Sequence, residues 1–305
     1  KAKCTVNKNI TLYAVQKKAV QLTFHRCDGS TWQKTTLAKG SSYSLPGVRD
    51  AEGYTFMGWS TKPMQSVSPQ YEAEEKITVN GNVDLYAVVF NRTTETDLTE
   101  DQLPQVDIYK YKQVIFVGDS RTEFMENVLT GMGESATKNV KFVCSAGKGL
   151  DWFTTTGWAQ LYSIVQHDSN SILSKKTAVI FNFGVNDLSK SADYAEYYNW
   201  IAPQLKSKGC ELYFMSVNPV NRLMLPNAGR ADRSEAAVRS FNQYMKANLS
   251  SAYTYIDMYS YLKSTGYSFA SDHYGTGTVD DGLHYTTRTY KRIFAKCMDS
   301  LRVPA

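Results

Sequence analysis

The sequence predicts an α/β protein, a doubly wound parallel sheet of five strands preceded by a small β-rich region, and three observations carry that prediction. Beyond position 112, near-continuous apolar segments of strand length alternate with amphipathic segments of helix length, the pattern of a parallel sheet covered on both faces. Before position 90 the pattern is instead a period-two alternation punctuated by glycine turns. Between the two lies a polar, Thr- and acid-rich stretch, Asn91 to Gln105, which contains Pro104 and has no periodicity, the mark of a linker across which few contacts are expected.

The N-terminal region contains an internal match. Asn7-Lys8-Asn9-Ile10-Thr11-Leu12-Tyr13-Ala14-Val15 recurs 73 residues later as Asn80-Gly81-Asn82-Val83-Asp84-Leu85-Tyr86-Ala87-Val88. Residues 1–19 read as the end of a truncated copy, and 20–90 as a complete one. Strands are expected at Val20 to Phe24 and around Ile77 to Val79, with turns at Asp28-Gly29 and Pro46-Gly47. Gly53-Tyr54-Thr55-Phe56-Met57-Gly58-Trp59 and the Leu85-Tyr86-Ala87 ending resemble the Listeria–Bacteroides repeat. That resemblance implies a β-grasp-like module of the kind displayed on bacterial surface proteins. Because the chain begins within a repeat, the natural protein is expected to be longer, with its targeting segment upstream.

After a linker at 91–108, the region 109–305 has apolar strand candidates at Gln113–Val117, Val140–Cys144, Ala178–Phe183, Glu211–Val217 and Tyr253–Ile256. Helical stretches include Ala192–Lys206, Arg233–Leu249 and Thr286–Leu301, the last with Tyr290, Ile293, Phe294, Cys297 and Leu301 on one face. In such sheets, function sits at the carboxyl ends of the strands.

Composition excludes several classes. The net charge of +5 carries no Lys/Arg block, so a nucleic-acid partner is not expected. No apolar run approaches the ~18 residues of a membrane span. Among the five cysteines there is no C-x-x-C pair; Cys144 and Cys210 read as buried thiols, and Cys4 and Cys27 could pair. His25, His167 and His273 lack paired-ligand spacing, so no metal is expected, and no Walker or dinucleotide fingerprint calls for a cofactor. His273 and Tyr274, in a Gly-rich loop, read as solvent-exposed, with a place at a pocket rim as the alternative.

Four short motifs remain. Gly118-Asp119-Ser120-Arg121 follows the first strand, Ser145-Ala146-Gly147-Lys148-Gly149 the second, and Gly184-Val185-Asn186-Asp187 the third. Asp280-Asp281-Gly282-Leu283-His284 lies in a loop before the last helix. Each alone is an ordinary turn or helix cap. Together they bring to one crevice a hydroxyl, an imidazole with a carboxylate three residues before it, and amide donors for an oxyanion. In order, they resemble the four blocks of the SGNH/GDSL hydrolases. The resemblance implies a flavodoxin-like fold, Ser120 as nucleophile, His284 as base and Asp281 (rather than Asp280) as its orienting carboxylate. It implies an oxyanion hole from Ser120 N–H, Gly149 N–H (Gly147 as alternative) and the Asn186 side chain.

Arg121 departs from the apolar residue common at its place; a surface position is expected, with contact to an anionic or polyhydroxylated substrate as the alternative. The expected activity is a serine esterase, a carbohydrate O-acetylesterase acting outside the cell on an acylated small molecule or glycan. A lipase, thioesterase or acyltransferase on the same triad, or an adhesin with a degenerate hydrolase domain, are the alternatives. The repeat is expected to meet a cell-surface or polysaccharide partner.

Overall fold

The computed structural model describes residue 11 and residues 17–107, 110–168, 176–225, 231–271 and 280–301. The truncated first copy, Cys4, His273 and Tyr274 lie outside the described residues, apart from residues 11 and 17–19 of that copy. Cys27, Cys144, Cys210 and Cys297 carry free thiols; Cys210 and Cys297 are buried and Cys144 is half-buried.

The repeat is built from β1 (Ala19–His25), β2 (Thr31–Ala38), β3 (Ser41–Ser44), β4 (Tyr54–Ser60), β5 (Lys76–Val79) and β6 (Val83–Asn91). Its main sheet has the order β2-β1-β6-β4, with β1 and β6 parallel at the centre, and β3 pairs antiparallel with β5 in a separate two-stranded sheet. Leu22, Phe24, Trp59, Val79 and Leu85 are fully buried in its own small core. Gly58, at the bulge in β4, cannot carry a side chain, because a Cβ there would sit 2.4 Å from the Tyr71 carbonyl oxygen.

The larger region follows with β7 (Tyr111–Gly118), α1 (Ser120–Met132), β8 (Val140–Cys144), α2 (Leu150–Trp152), which runs through a π turn into α3 (Trp158–Asp168), and β9 (Lys176–Asn182). Then come α4 (Ser191–Ser207), β10 (Cys210–Met215), α5 (Glu235–Asn248), β11 (Tyr253–Ile256), α6 (Met258–Thr265), β12 (Phe269–Ser271), β13 (Asp280–Tyr285) and α7 (Thr287–Ser300). The five strands of the sheet are all parallel, in the order β11-β10-β9-β7-β8. Counted along the chain this is 2-1-3-4-5, the flavodoxin-like order, whose switch point lies between β7 and β9. Val114 to Val117 and Ala178 to Phe181 are fully buried because helices cover both faces, which is why these strands read as continuous apolar runs. The register sets Gly118 level with Cys144 on one side and Asn182 on the other, so the three loops that follow leave the sheet at one edge.

The stretch at 91–108 is not the bare linker expected from sequence, and many contacts cross from the repeat to the α/β region. Leu103 and Val106 are buried in the core on one face of the large sheet, together with Met57, Val88 and Phe90 of the repeat. Buried Glu95 pairs with Arg292 at 3.0 Å and accepts from Ser268 Oγ at 2.5 Å. Across the seam, Lys263 Nζ donates to the Met57 carbonyl at 2.9 Å, and Arg239 donates to that of Ala73 at 2.9 Å. An acid-rich stretch reads as solvated because a sequence does not display the distant cation that neutralises it; Glu95 and Arg292 are 197 residues apart. Phe90 packs against Gly266, where a Cβ would come within 2.2 Å of its ring. Phe90→Ala is therefore expected to cost about 3–5 kcal/mol in denaturant unfolding, the range for a buried aromatic truncated in a closed site. A loss below about 1 kcal/mol would mean that the seam is not packed as described.

Candidate active site

Gly118 and Asp119 form the turn that presents Ser120 as the first residue of α1. Gly118 has no room for a side chain, since a Cβ would lie 2.0 Å from Thr122 Oγ1. Asp119 caps the helix by accepting from the Arg121 N–H at 3.0 Å. Its own burial pushes that carboxyl up to about 6, against the pull of the Arg121 N–H and the Arg121 and Arg233 guanidinium groups.

Ser120, His284 and Asp281 form one hydrogen-bonded chain. Ser120 Oγ lies 2.8 Å from His284 Nε2, and His284 Nδ1 lies 2.5 Å from Asp281 Oδ2. Asp281 is 0% exposed and His284 2%. The other carboxylate oxygen of Asp281 accepts from the backbone N–H of Leu283 at 2.8 Å and of His284 at 2.7 Å, so the three-residue spacing closes into a tight loop around the carboxylate. Burial alone would raise the Asp281 carboxyl; the hydrogen bond and charge of His284, with the two backbone N–H groups, hold it below the ordinary carboxylate range. The ring of Phe124 stands edge-on to His284 at 4.5 Å between centroids.

Asp281 and His284 do not sit in an irregular loop, as expected from sequence, but on β13, which pairs antiparallel with β12. The segment Asp-Asp-Gly-Leu-His-Tyr shows no strand alternation because Gly282, at φ +68°, kinks the strand. A Cβ at Gly282 would meet the Asn221 carbonyl oxygen at 2.5 Å.

Arg121 is neither at the surface nor available to a substrate. It is 2% exposed, and its guanidinium donates at 3.0 Å to each of three carbonyls, those of Leu283, Asn218 and Pro219. It therefore ties the turn that presents Ser120 to the strand that carries His284. A signal for this was present in the sequence, since Arg121, Met125 and Leu129 recur at helical spacing and are all buried.

The second and third motifs lock together. Asn186 Oδ1 accepts from Arg233 Nη2 at 2.7 Å; because a guanidinium can only donate, the amide nitrogen must face the other way, where it donates to the Lys148 carbonyl at 2.8 Å. One N–H of that amide remains to be directed elsewhere. Asp187 accepts from the Leu150 N–H at 2.9 Å and from Tyr194 at 2.7 Å. Gly149 is pressed against Asp187, and a Cβ there would lie 2.3 Å from its carboxylate. Gly147 needs glycine for a different reason, a φ of +70° in open space. Glu123 anchors the same loop to α1 by accepting from the Ala146 N–H at 2.6 Å. Arg233 and Glu123 were not recognised from sequence, because their partners are set by the folded crevice and not by local spacing.

The chain from 114 to 297, more than half of its length, matches the GDSL-like lipase/acylhydrolase family, and residues 21–88 match the Listeria–Bacteroides repeat domain. The chain belongs to the GDSL-like lipase/acylhydrolase family. Its hydrolase region is thus preceded by a Listeria–Bacteroides repeat. Among solved structures it is similar to an acetyl xylan esterase, at 10% identity with 62% of this chain and 100% of that one covered and a TM-score of 0.41. It is also similar to the C-terminal catalytic domain of peptidoglycan O-acetyltransferase A of Streptococcus pneumoniae, at 16% identity, 63% and 92% coverage and a TM-score of 0.37. A search of curated proteins found no match. Among the described residues of this SGNH hydrolase, no helix is long and apolar enough to cross a membrane, and no three His, Cys, Asp or Glu side chains gather as a metal site.

Proposed function

We propose that this SGNH hydrolase is a serine esterase acting through Ser120, His284 and Asp281, and that its substrate is an O-acetylated carbohydrate met outside the cell. The observation that carries the esterase reading is the hydrogen-bonded chain from Ser120 through His284 to buried Asp281, at 2.8 and 2.5 Å. Ser120 Oγ attacks the ester carbonyl carbon as His284 Nε2 takes its proton, and Asp281 holds the imidazolium that forms. The oxyanion is received by the N–H of Ser120, the N–H of Gly149 (Gly147 as alternative) and the Asn186 amide. Collapse of the intermediate expels the alcohol, which takes the proton from His284. Water, deprotonated by His284, then attacks the acyl carbon and releases the acid and free Ser120. The carbohydrate reading rests on the surface repeat that precedes the hydrolase; an exported enzyme meets glycans as its acylated polymers.

The test is twofold. A fluorophosphonate should label Ser120, and absence of labelling would favour an adhesin with an inactive hydrolase domain. A panel of p-nitrophenyl esters of rising chain length, with acetylated oligosaccharides in the presence and absence of an acceptor sugar, should show preference for acetyl and release of free acetate. Preference for long chains would indicate a lipase or thioesterase, and acetyl transfer to the acceptor a transferase.

Asn186→Ala is expected to lower kcat by about 10²–10³-fold with little change in KM, the cost of removing one oxyanion donor. Steady-state kinetics on p-nitrophenyl acetate would check this. A pure KM effect would make Asn186 a ground-state binding residue.

A further inference from the structure

The strand that carries Asp281 and His284 is held from the repeat side. Asp280, immediately before Asp281, places Oδ2 2.6 Å from Nη2 of Arg92. Arg92 closes the repeat after β6, and the repeat fixes it three times over. Its N–H donates to the Gly53 carbonyl at 2.9 Å, its Nε to Thr55 Oγ1 at 2.9 Å, and its Nη2 to Asp50 Oδ2 at 2.7 Å. Asp50 is fully buried, accepts from the Phe56 N–H at 3.0 Å and, through the same oxygen, from Asn221 Nδ2 at 2.8 Å. Asn221 also donates from its side chain to the repeat's Val48 carbonyl at 3.1 Å, and from its backbone N–H to the Gly282 carbonyl at 2.9 Å. The residues on either side of Asp281 are therefore both tied, directly or through one residue, to the same cluster on the repeat.

We propose that Arg92 is a positioning residue for the catalytic acid–base pair, and that the repeat, through Arg92 and Asp50, is a working part of the active centre and not a detachable display module. This rests on the reading of Ser120, His284 and Asp281 as a catalytic triad. Arg92 bears the charge that two carboxylates share, one of them buried, and its removal leaves Asp50 and Asp280 facing each other uncompensated. The Arg92–Asp280 bond is what fixes the start of β13 to the repeat, so loss of either partner frees the strand to shift and carries Asp281 and His284 with it. A displacement near 1 Å of a reacting group costs on the order of 10²-fold in rate, which is larger than what an exposed ion pair would contribute to stability.

The test uses the full chain. Arg92→Gln should lower kcat for p-nitrophenyl acetate by about 10–100-fold with KM within about threefold, and slow fluorophosphonate labelling of Ser120 in parallel. Arg92→Lys, which keeps the charge but loses the bond to Thr55, should recover at least part of the loss. Arg239→Gln removes a different bond across the same seam, to Ala73, and should leave kcat within about twofold, since neither of its hydrogen-bond partners, Ala73 and Tyr259, lies on β13. Should Arg92→Gln fail to fold, Asp280→Ala breaks the same pair from the hydrolase side and should give the same fall in kcat; the double variant should be no worse than the poorer single one. Folded variants at Arg92 or Asp280 that keep kcat within about twofold would overturn the proposal, as would an Arg239→Gln loss equal to that of Arg92→Gln. Failure of the wild-type protein to label at Ser120 would instead overturn the esterase reading on which the proposal stands.

Discussion

Ser120→Ala is expected to reduce kcat on a small ester by about 10⁴-fold or more, leaving only the catalysis that oxyanion donors and substrate binding provide without a nucleophile. At about 1.36 kcal/mol per tenfold, that is a loss of at least 5–6 kcal/mol of transition-state stabilisation. The fold should survive. Asp119, not Ser120, caps α1, and the Arg121 bonds that join this turn to β13 do not involve the Ser120 side chain. What the variant leaves behind is an imidazole nitrogen facing a methyl group in a site where His284 is 2% exposed, a cost of about 1–3 kcal/mol in stability. Kinetics and thermal unfolding on the same preparation separate the two effects. A folded variant with kcat within tenfold of wild type would remove Ser120 from the mechanism.

How much of this could be seen in the sequence depends on where each partner lies. The five strands of the large sheet are placed within two residues of where they lie, and Val140–Cys144 and Tyr253–Ile256 residue for residue, because burial on both faces writes itself as an unbroken apolar run. The first three motifs stand out because each follows its strand within a few positions, and the fourth because its Asp and His stand three apart just before the last helix. β2 was missed because it is an edge strand whose first four residues, Thr31, Trp32, Gln33 and Lys34, are exposed on both faces, so no alternation marks it. β13 was missed because an Asp-Asp-Gly start argues for a turn, and only its pairing with β12 makes it a strand. The seam between repeat and hydrolase was missed for a general reason. Its members, Arg92 with Asp280, Asn221 with Asp50, and Lys263 with Met57, come from positions up to 206 residues apart, and charge or polarity at one end does not announce its partner. The same is true of Arg121, whose three carbonyl partners lie 97 to 162 residues away. Position in the sheet is a local property of sequence; neutralisation of a buried charge is not.

Asp281→Asn is expected to lower kcat by about 10⁴-fold, against roughly tenfold for Asp280→Asn, and the difference follows from counting donors. Among the described residues, three donors meet Asp281: the N–H of Leu283, the N–H of His284, and the ring N–H at Nδ1 of His284. A carboxylate accepts all three. An amide has one accepting oxygen and one NH₂, so Asn must turn its nitrogen toward one of them. If the NH₂ faces the backbone, two N–H groups are left buried against another donor. If it faces His284, the imidazole must move its proton from Nδ1 to Nε2, and Nε2–H can no longer take the proton of Ser120. The first keeps the tautomer only at the cost of a buried donor–donor clash, the second gives no base, and in neither does a carboxylate stabilise the imidazolium. Asp280 meets no such demand; its partner is Arg92, and Asn still offers that guanidinium an oxygen. The same carboxyl gives a pH signature. Held below the ordinary carboxylate range, ionised Asp281 contributes stability that is fully present above the unfolded carboxylate pKa of about 4 and is lost as pH falls from there through its lowered value. The unfolding midpoints of wild type and Asp281→Asn should therefore lie furthest apart near neutrality and converge in acid. Equal kinetic losses at Asp280 and Asp281, or a stability gap that widens in acid, would show that Asp281 is not the carboxylate that orients His284.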